Sequence, residues 1–215
     1  MNSPTGLKVL LVAWALVLVA PAVAGTTKTA LTTEGAESEE TTFGDLTTDA
    51  LADAAGTNVA LAPAVSFRSG TIAPGDVTVA DVSGLLFSPE EKWAVLQLTG
   101  AQIRAALERS VSFAPTPRTF FLQVSGLTVV YDPGGTRGRK VKSVSVGFQE
   151  LNDAAKYEVA MPESLADGGA GYFTIFGDAA KVRSGNKGLA AVVTDYVTAQ
   201  GSVSYTGQGR IVVGG

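Results

Sequence analysis

The sequence predicts an α+β single domain with a mixed β-sheet and packed helices, on three observations. The chain has 215 residues, 46% of them hydrophobic, which suits one sizeable core and leaves no room for a second domain of ordinary size. Between Thr99 and Asp132 a helix pattern and a strand pattern stand back to back. Elsewhere helical and strand segments mix without the alternation of a βαβ protein, so a mixed sheet is expected rather than a parallel one.

Taken in order, residues 1–24 read as a secretory signal. Lys8 gives the charged end, positions 9–20 are apolar, and Ala22-Val23-Ala24 before Gly25 is a small-residue cleavage site, with the cut expected after Ala24. The apolar run is shorter than the roughly 20 residues that span a bilayer, and Pro21 interrupts its end; a membrane anchor is the alternative. Residues 25–42 are polar, rich in Thr and Glu, and without apolar period, so a flexible leader is expected there and the domain proper over 43–215. Phe43, Leu46, Ala50, Leu51 and Ala54 recur at helical spacing, with Thr41 or Thr42 as cap and Gly56 as stop.

A short buried strand is expected over Val59 to Leu61, a second helix within Val77 to Phe87, and a strand from Trp93 to Leu98. Thr99 then caps a helix whose apolar face is Ile103, Ala106, Leu107 and Val111, ended by Pro115 and Pro117. From Phe120 the pattern is β, with Phe121, Val124, Leu127, Val129 and Tyr131, a bulge or bend at Ser125-Gly126 and a stop at Asp132-Pro133-Gly134. A hairpin loop leads into Lys140 to Val146. Its basic residues Arg137, Arg139, Lys140 and Lys142 either attract phosphate or decorate a solvated tip. A strand over Tyr157 to Ala160, a helix over Leu189 to Ala199 and a strand over Arg210 to Val213 complete the chain.

Without residues 1–24 the chain keeps 15 basic and 20 acidic residues, a net charge of about −5, so nucleic acid is not an expected partner. There is no Cys, hence no disulfide and no lipid-bearing Cys after the signal, and a free secreted or periplasmic protein is implied. With no His either, Ser–His and Cys–His nucleophiles, ordinary zinc sites and a His general acid are excluded, and no cofactor is expected. The Gly-rich strings 167–171 and 207–210 lack the spacing of phosphate loops and read as tight turns.

Several words of the sequence resemble the C-terminal domain of the 5'-nucleotidase family, which includes UDP-sugar hydrolases and 2',3'-cyclic nucleotide phosphodiesterases. They are Gly44-Asp45-Leu46 with Asp49-Ala50, Thr99-Gly100, Glu108-Arg109-Ser110-Val111, Phe121-Leu122-Gln123-Val124-Ser125-Gly126, Val130-Tyr131-Asp132, Gly168-Gly169-Ala170-Gly171-Tyr172 and Gly209-Arg210-Ile211. The resemblance implies that hydrolysis belongs to an N-terminal metallophosphatase domain, which this chain would lack and could meet on a separate chain. It also implies that two aromatic rings sandwich a base. The first falls at Phe87, after Leu85-Leu86, with a core position as the alternative; the second falls at Ser164, where no ring stands. The family's ribose-binding Asp is Ala170, inside the Gly168-Gly169 motif, and the family segment that supplies an Asn and an Arg corresponds to residues 62–68, where Arg68 alone survives. A further family Arg falls near Thr57. The expected pocket therefore has Phe87 facing Ser164, with Arg68 and Ala170 on the rim, and would bind a nucleoside or nucleotide weakly. One lost stacking face is worth roughly 1–3 kcal/mol and one lost charged hydrogen bond about 1.5–3 kcal/mol. Two main readings follow, a non-catalytic recognition module and a scaffold that has kept the fold and lost the pocket; an autonomous carboxylate hydrolase is a third.

Overall fold

The computed structural model describes residues 22–214. The first half of the fold runs β1 (Val23–Thr27), β2 (Leu31–Thr32), α1 (Thr42–Ala55), β3 (Val59–Pro63), β4 (Thr71–Ile72), β5 (Gly75–Thr78), α2 (Val79–Leu85), β6 (Trp93–Thr99) and α3 (Gly100–Ser110). The second half runs β7 (Leu122–Ser125), β8 (Leu127–Tyr131), β9 (Val141–Val146), β10 (Gln149–Glu150), β11 (Lys156–Pro162), α4 (Glu163–Ala166), α5 (Phe173–Phe176), β12 (Ala180–Ser184), α6 (Leu189–Gln200), β13 (Ser202–Val203) and β14 (Ile211–Val213).

The central sheet has the order β12-β6-β11-β3-β7 and is mixed, with β11 parallel to β3 and antiparallel to β6. Its two faces follow from strand alternation. Ala60, Ala62, Val95 and Ala160 face the cluster built by α1, α2 and α6, where small side chains let the helices approach. Val59, Leu61, Leu96, Leu98, Val159 and Met161 face the cluster of α3, α4 and α5. The α+β mixed-sheet class expected from sequence is the one observed.

The helix signals act where they stand. Thr41 caps α1 by accepting from Gly44 N–H, and Gly56 ends it in the left-handed region at φ 63°. Thr99 and Gln102 form a reciprocal capping box on α3. Ser125-Gly126 is more than a bulge. β7 pairs with β3 in the central sheet, whereas β8 pairs with β9 and β14 in a second sheet, so the chain changes sheets at Gly126. Gly126 has φ 73°, and a Cβ there would run into the Asn58 carbonyl oxygen, so no other residue fits the corner.

The stretch 25–42 departs from the flexible leader expected for it. β1 pairs with β5 and β13, β2 pairs with β4, and Leu31 is fully buried. Thr42 Oγ1 accepts from Thr32 N–H at 2.8 Å and donates to the Ala30 carbonyl at 2.9 Å, which pins this segment to the start of α1. Its order comes from partners as distant in sequence as Ser202 and Val203, which no local pattern announces. Of the signal reading, residues 1–21 lie outside the described residues.

Candidate functional site

Phe87 follows the end of α2. Its N–H donates to the Ser66 carbonyl at 2.8 Å, Arg68 N–H donates to the Leu85 carbonyl at 2.9 Å, and Phe67 bridges Leu86 between them. This short ladder turns Leu85 and Leu86 into the core, 7% and 0% exposed, and leaves the Phe87 ring 60% exposed. The core alternative for Phe87 is thereby removed. The Arg68 guanidinium lies 5.8 Å from the Phe87 ring centroid and donates to its carbonyl at 3.4 Å. The ring is thus exposed on a hydrogen-bonded backbone with a cation beside it.

Ser164 stands in α4, exposed, and lines the same cleft as Phe87. The cleft measures about 770 Å³. Ser164 N–H donates to Glu91 Oε1 at 3.0 Å and Glu163 N–H to the Lys92 carbonyl at 2.8 Å, so the loop after Phe87 and the start of α4 are fastened to each other. Glu90, Glu91, Glu163 and Asp167 bring four carboxylates to the walls against Lys92. Lys181, behind Glu163 and Asp167 at 3.5 and 2.8 Å, is held above the ordinary lysine range chiefly by its hydrogen bond to Asp167. These carboxylates stand in the sequence as the pairs 90–91 and 163–167, but nothing local says that the pairs converge.

The remaining expected residues are placed differently. Arg68 touches Phe87 but opens onto a neighbouring hollow of about 360 Å³ beside Thr33, Glu34 and Gly35. Gly168, Gly169 and Ala170 do not line the cleft; they form the turn beneath it. A Cβ on Gly168 would lie 2.5 Å from Phe173 Cα, and one on Gly169 would lie 2.6 Å from the Ser164 carbonyl oxygen, so both glycines allow close packing behind the Ser164 wall. Ala170 sits at φ 54°, where Asp or Asn is better tolerated than Ala, and its side chain packs toward the core below α3. Arg109 Nη2 and Nε donate to the Ala170 and Gly171 carbonyls, both at 3.0 Å, an anchoring role missed by the sequence reading. Thr57 lies in a separate hollow with Gly56 and Tyr157 and donates to the Val59 carbonyl.

Three of the words that carried the family resemblance, at residues 44–50, 121–126 and 209–211, converge elsewhere, in a buried polar network. Arg210 of the Gly-Arg-Ile word makes a two-pronged pair with Asp49, Nη1 to Oδ1 and Nη2 to Oδ2 both at 2.8 Å, and donates to the Val124 carbonyl at 3.0 Å. Ser125 and Tyr205 hydroxyls also donate to Asp49, at 2.6 and 3.0 Å. The Glu40 carboxylate accepts from the backbone N–H groups of Gln208, Gly209, Arg210 and Ile211. Asp45 is fully buried 3.5 Å from Arg210 Nε. Burial first, with the neighbouring Glu40 and Asp49 carboxylates and against the opposing Arg210, pushes it up to about 8. Gln123 accepts from Thr41 N–H and donates to the backbone carbonyls of Ala36 and Glu39, and a Cβ on Gly44 would collide with its Oε1. These words are therefore fold words.

Residues 23–178 match the family described as 5'-nucleotidase, C-terminal domain. Snake venom 5'-nucleotidase from Naja atra is 35% identical over 126 residues, covering 55% of this chain and 24% of that protein. The enzyme of the same name from Gloydius brevicauda is 32% identical over 153 residues, covering 67% and 25%. The crystal structure of a 5'-nucleotidase precursor from Thermus thermophilus superposes with a TM-score of 0.79 at 31% identity, over 89% of this chain and 39% of that one. The chain belongs to the 5'-nucleotidase family, in which it corresponds to the C-terminal domain. It spans about a quarter of the length of these two curated relatives.

Proposed function

We propose that this domain is the recognition part of a nucleotide-hydrolysing system, holding the nucleoside portion of a phosphoester ligand in the Phe87–Ser164 cleft. The observation that carries this reading is the Phe87 ring, 60% exposed on a hydrogen-bonded backbone and flanked by Arg68. Hydrolysis would be supplied by a metallophosphatase unit from outside these residues, since the chain has neither His nor Cys. The four carboxylates on the cleft walls favour a neutral nucleoside face there over a phosphate, which would point toward Arg68.

Export is part of the same proposal. A signal ending at Ala24 would leave Gly25 to Thr27 still paired with β5, and among the described residues no helix is long and apolar enough to cross a membrane. The scaffold reading is favoured by one feature, the missing ring at Ser164. Calorimetry with adenosine on the wild type and on Ser164→Phe separates the two readings. A second stacking face should tighten binding by about 1–3 kcal/mol, roughly 5- to 150-fold. If Ser164→Phe folds and still binds no adenosine at millimolar concentration, the scaffold reading holds.

A further inference from the structure

A second cluster, outside the cleft, forms where the β8–β9 hairpin meets the segment after α3. The structure divides the four basic residues of that hairpin into two kinds. Lys140 is buried, and its Nζ donates to the carbonyls of Ala114 and Pro133, tying the hairpin to the 111–118 segment. Lys142 pairs with Asp132 at 3.3 Å. Arg137 and Arg139 are exposed, and among the described residues neither has a carboxylate within ion-pairing distance.

Arg118 joins them from the other side. Its guanidinium lies 4.7 Å from the Phe113 ring centroid and that of Arg137 lies 4.6 Å from the same centroid. Phe113 is 37% exposed and is braced edge to face against Phe120 at 5.9 Å, which in turn is covered by Arg109 at 4.1 Å. Arg118 meets only the Pro117 carbonyl, at 3.4 Å, with its side chain. Of the acids on the adjoining elements, two are engaged through their carboxylates and Glu37 through its backbone only. Glu108 accepts from the N–H groups of Lys140 and Val141, Asp132 accepts from Gly134 N–H and pairs with Lys142, and Glu37 reaches Arg118 through its backbone carbonyl.

Two unpaired guanidinium groups held against one ring repel each other, in a chain whose net charge is −4. Contact with the ring holds both groups in place while leaving N–H donors free, and a guanidinium so held can bind an oxyanion through two parallel hydrogen bonds. We propose that Arg118 and Arg137 around Phe113, with Arg139 exposed on the same loop, form a binding site for a tetrahedral oxyanion, a phosphate or sulfate monoester. The site is separate from the Phe87–Ser164 cleft and stands whether or not that cleft binds a nucleoside.

The test is an NMR titration of the folded protein with inorganic phosphate, against chloride at equal ionic strength, reading the Arg Nε–H signals. Saturable shifts are expected at Arg118 and Arg137. Phosphate binding should weaken about tenfold in Arg118→Gln and in Arg137→Gln, and by less in Arg137→Lys, which keeps the charge but loses the fork. Lys28→Gln, which removes the same charge from an exposed position outside the cluster, should leave it unchanged. Phenyl phosphate and phenyl sulfate then tell the two sources apart, and saturation by either supports the site. Shifts matched by chloride, or equal weakening in Lys28→Gln, would overturn the proposal. Arg137 is on an exposed loop, so its variants carry the test should Arg118→Gln fail to fold.

Discussion

Replacing Arg210 by Met is expected to destabilise the domain by about 3–5 kcal/mol, because it leaves the Asp49 carboxylate in the network without its counter-charge. Asp49 loses two bonds of 2.8 Å and Val124 loses a donor to its carbonyl. The Arg210 and Asp49 side chains are only 15% and 21% exposed, so water replaces little of what is removed. The pair also joins α1 to β7 and to the approach to β14, so its loss is felt in both sheets. Lys187→Met is the control. Its pair with Asp195 is 64% and 57% exposed, and its loss should cost less than about 1 kcal/mol. Urea unfolding of the three proteins measures the difference, and a similar midpoint for both variants would remove the network from the account.

The second large effect is on pH. Asp45 rises from 3.8 to about 8 in the folded state. Below pH 3.8 it is protonated folded and unfolded, and contributes nothing to the pH dependence. Between about pH 4 and 8 the folded chain keeps a proton that the unfolded chain has lost, so stability falls as pH rises, by up to about 1.4 kcal/mol per unit and on the order of 5 kcal/mol across the window. Above about 8 the loss is complete. Asp132, lowered by its hydrogen bond to Lys142, changes its proton below this window and does not confuse it. Unfolding free energies at intervals from about pH 4.5 to 8.5 should therefore slope downward for the wild type and flatten in Asp45→Asn. Parallel slopes for the two proteins would show that Asp45 is ionised throughout.

Both effects arise in residues that the sequence displays as short words, and this explains what was legible. Thr99, Gly56 and Gly126 act on the backbone within a few residues of themselves, so a cap, a stop and a corner can be read where they stand. The words around Asp45, Gln123 and Arg210 announce the fold because each side chain must meet the others in one buried network. The order of β1 and β2 was not legible, since their partners lie outside the segment and such short, Thr-containing strands carry no apolar period. Nor does Leu85-Leu86-Phe87 say which of three apolar side chains leaves the core; the bonds to Ser66 and Arg68 decide that. The cleft's charge was hidden for the same reason, because Glu90 and Glu163 become neighbours only when the loop after α2 is fastened to α4.

The adenosine isotherm of Phe87→Ala beside that of the wild type tests most directly whether Phe87 stacks a nucleoside. The ring is mostly exposed, so its loss should leave the unfolding midpoint nearly unchanged. Weak, saturable binding by the wild type at about millimolar adenosine is expected, with a loss of about 1–3 kcal/mol in the variant. Identical isotherms for the two folded proteins would contradict the stacking role of Phe87.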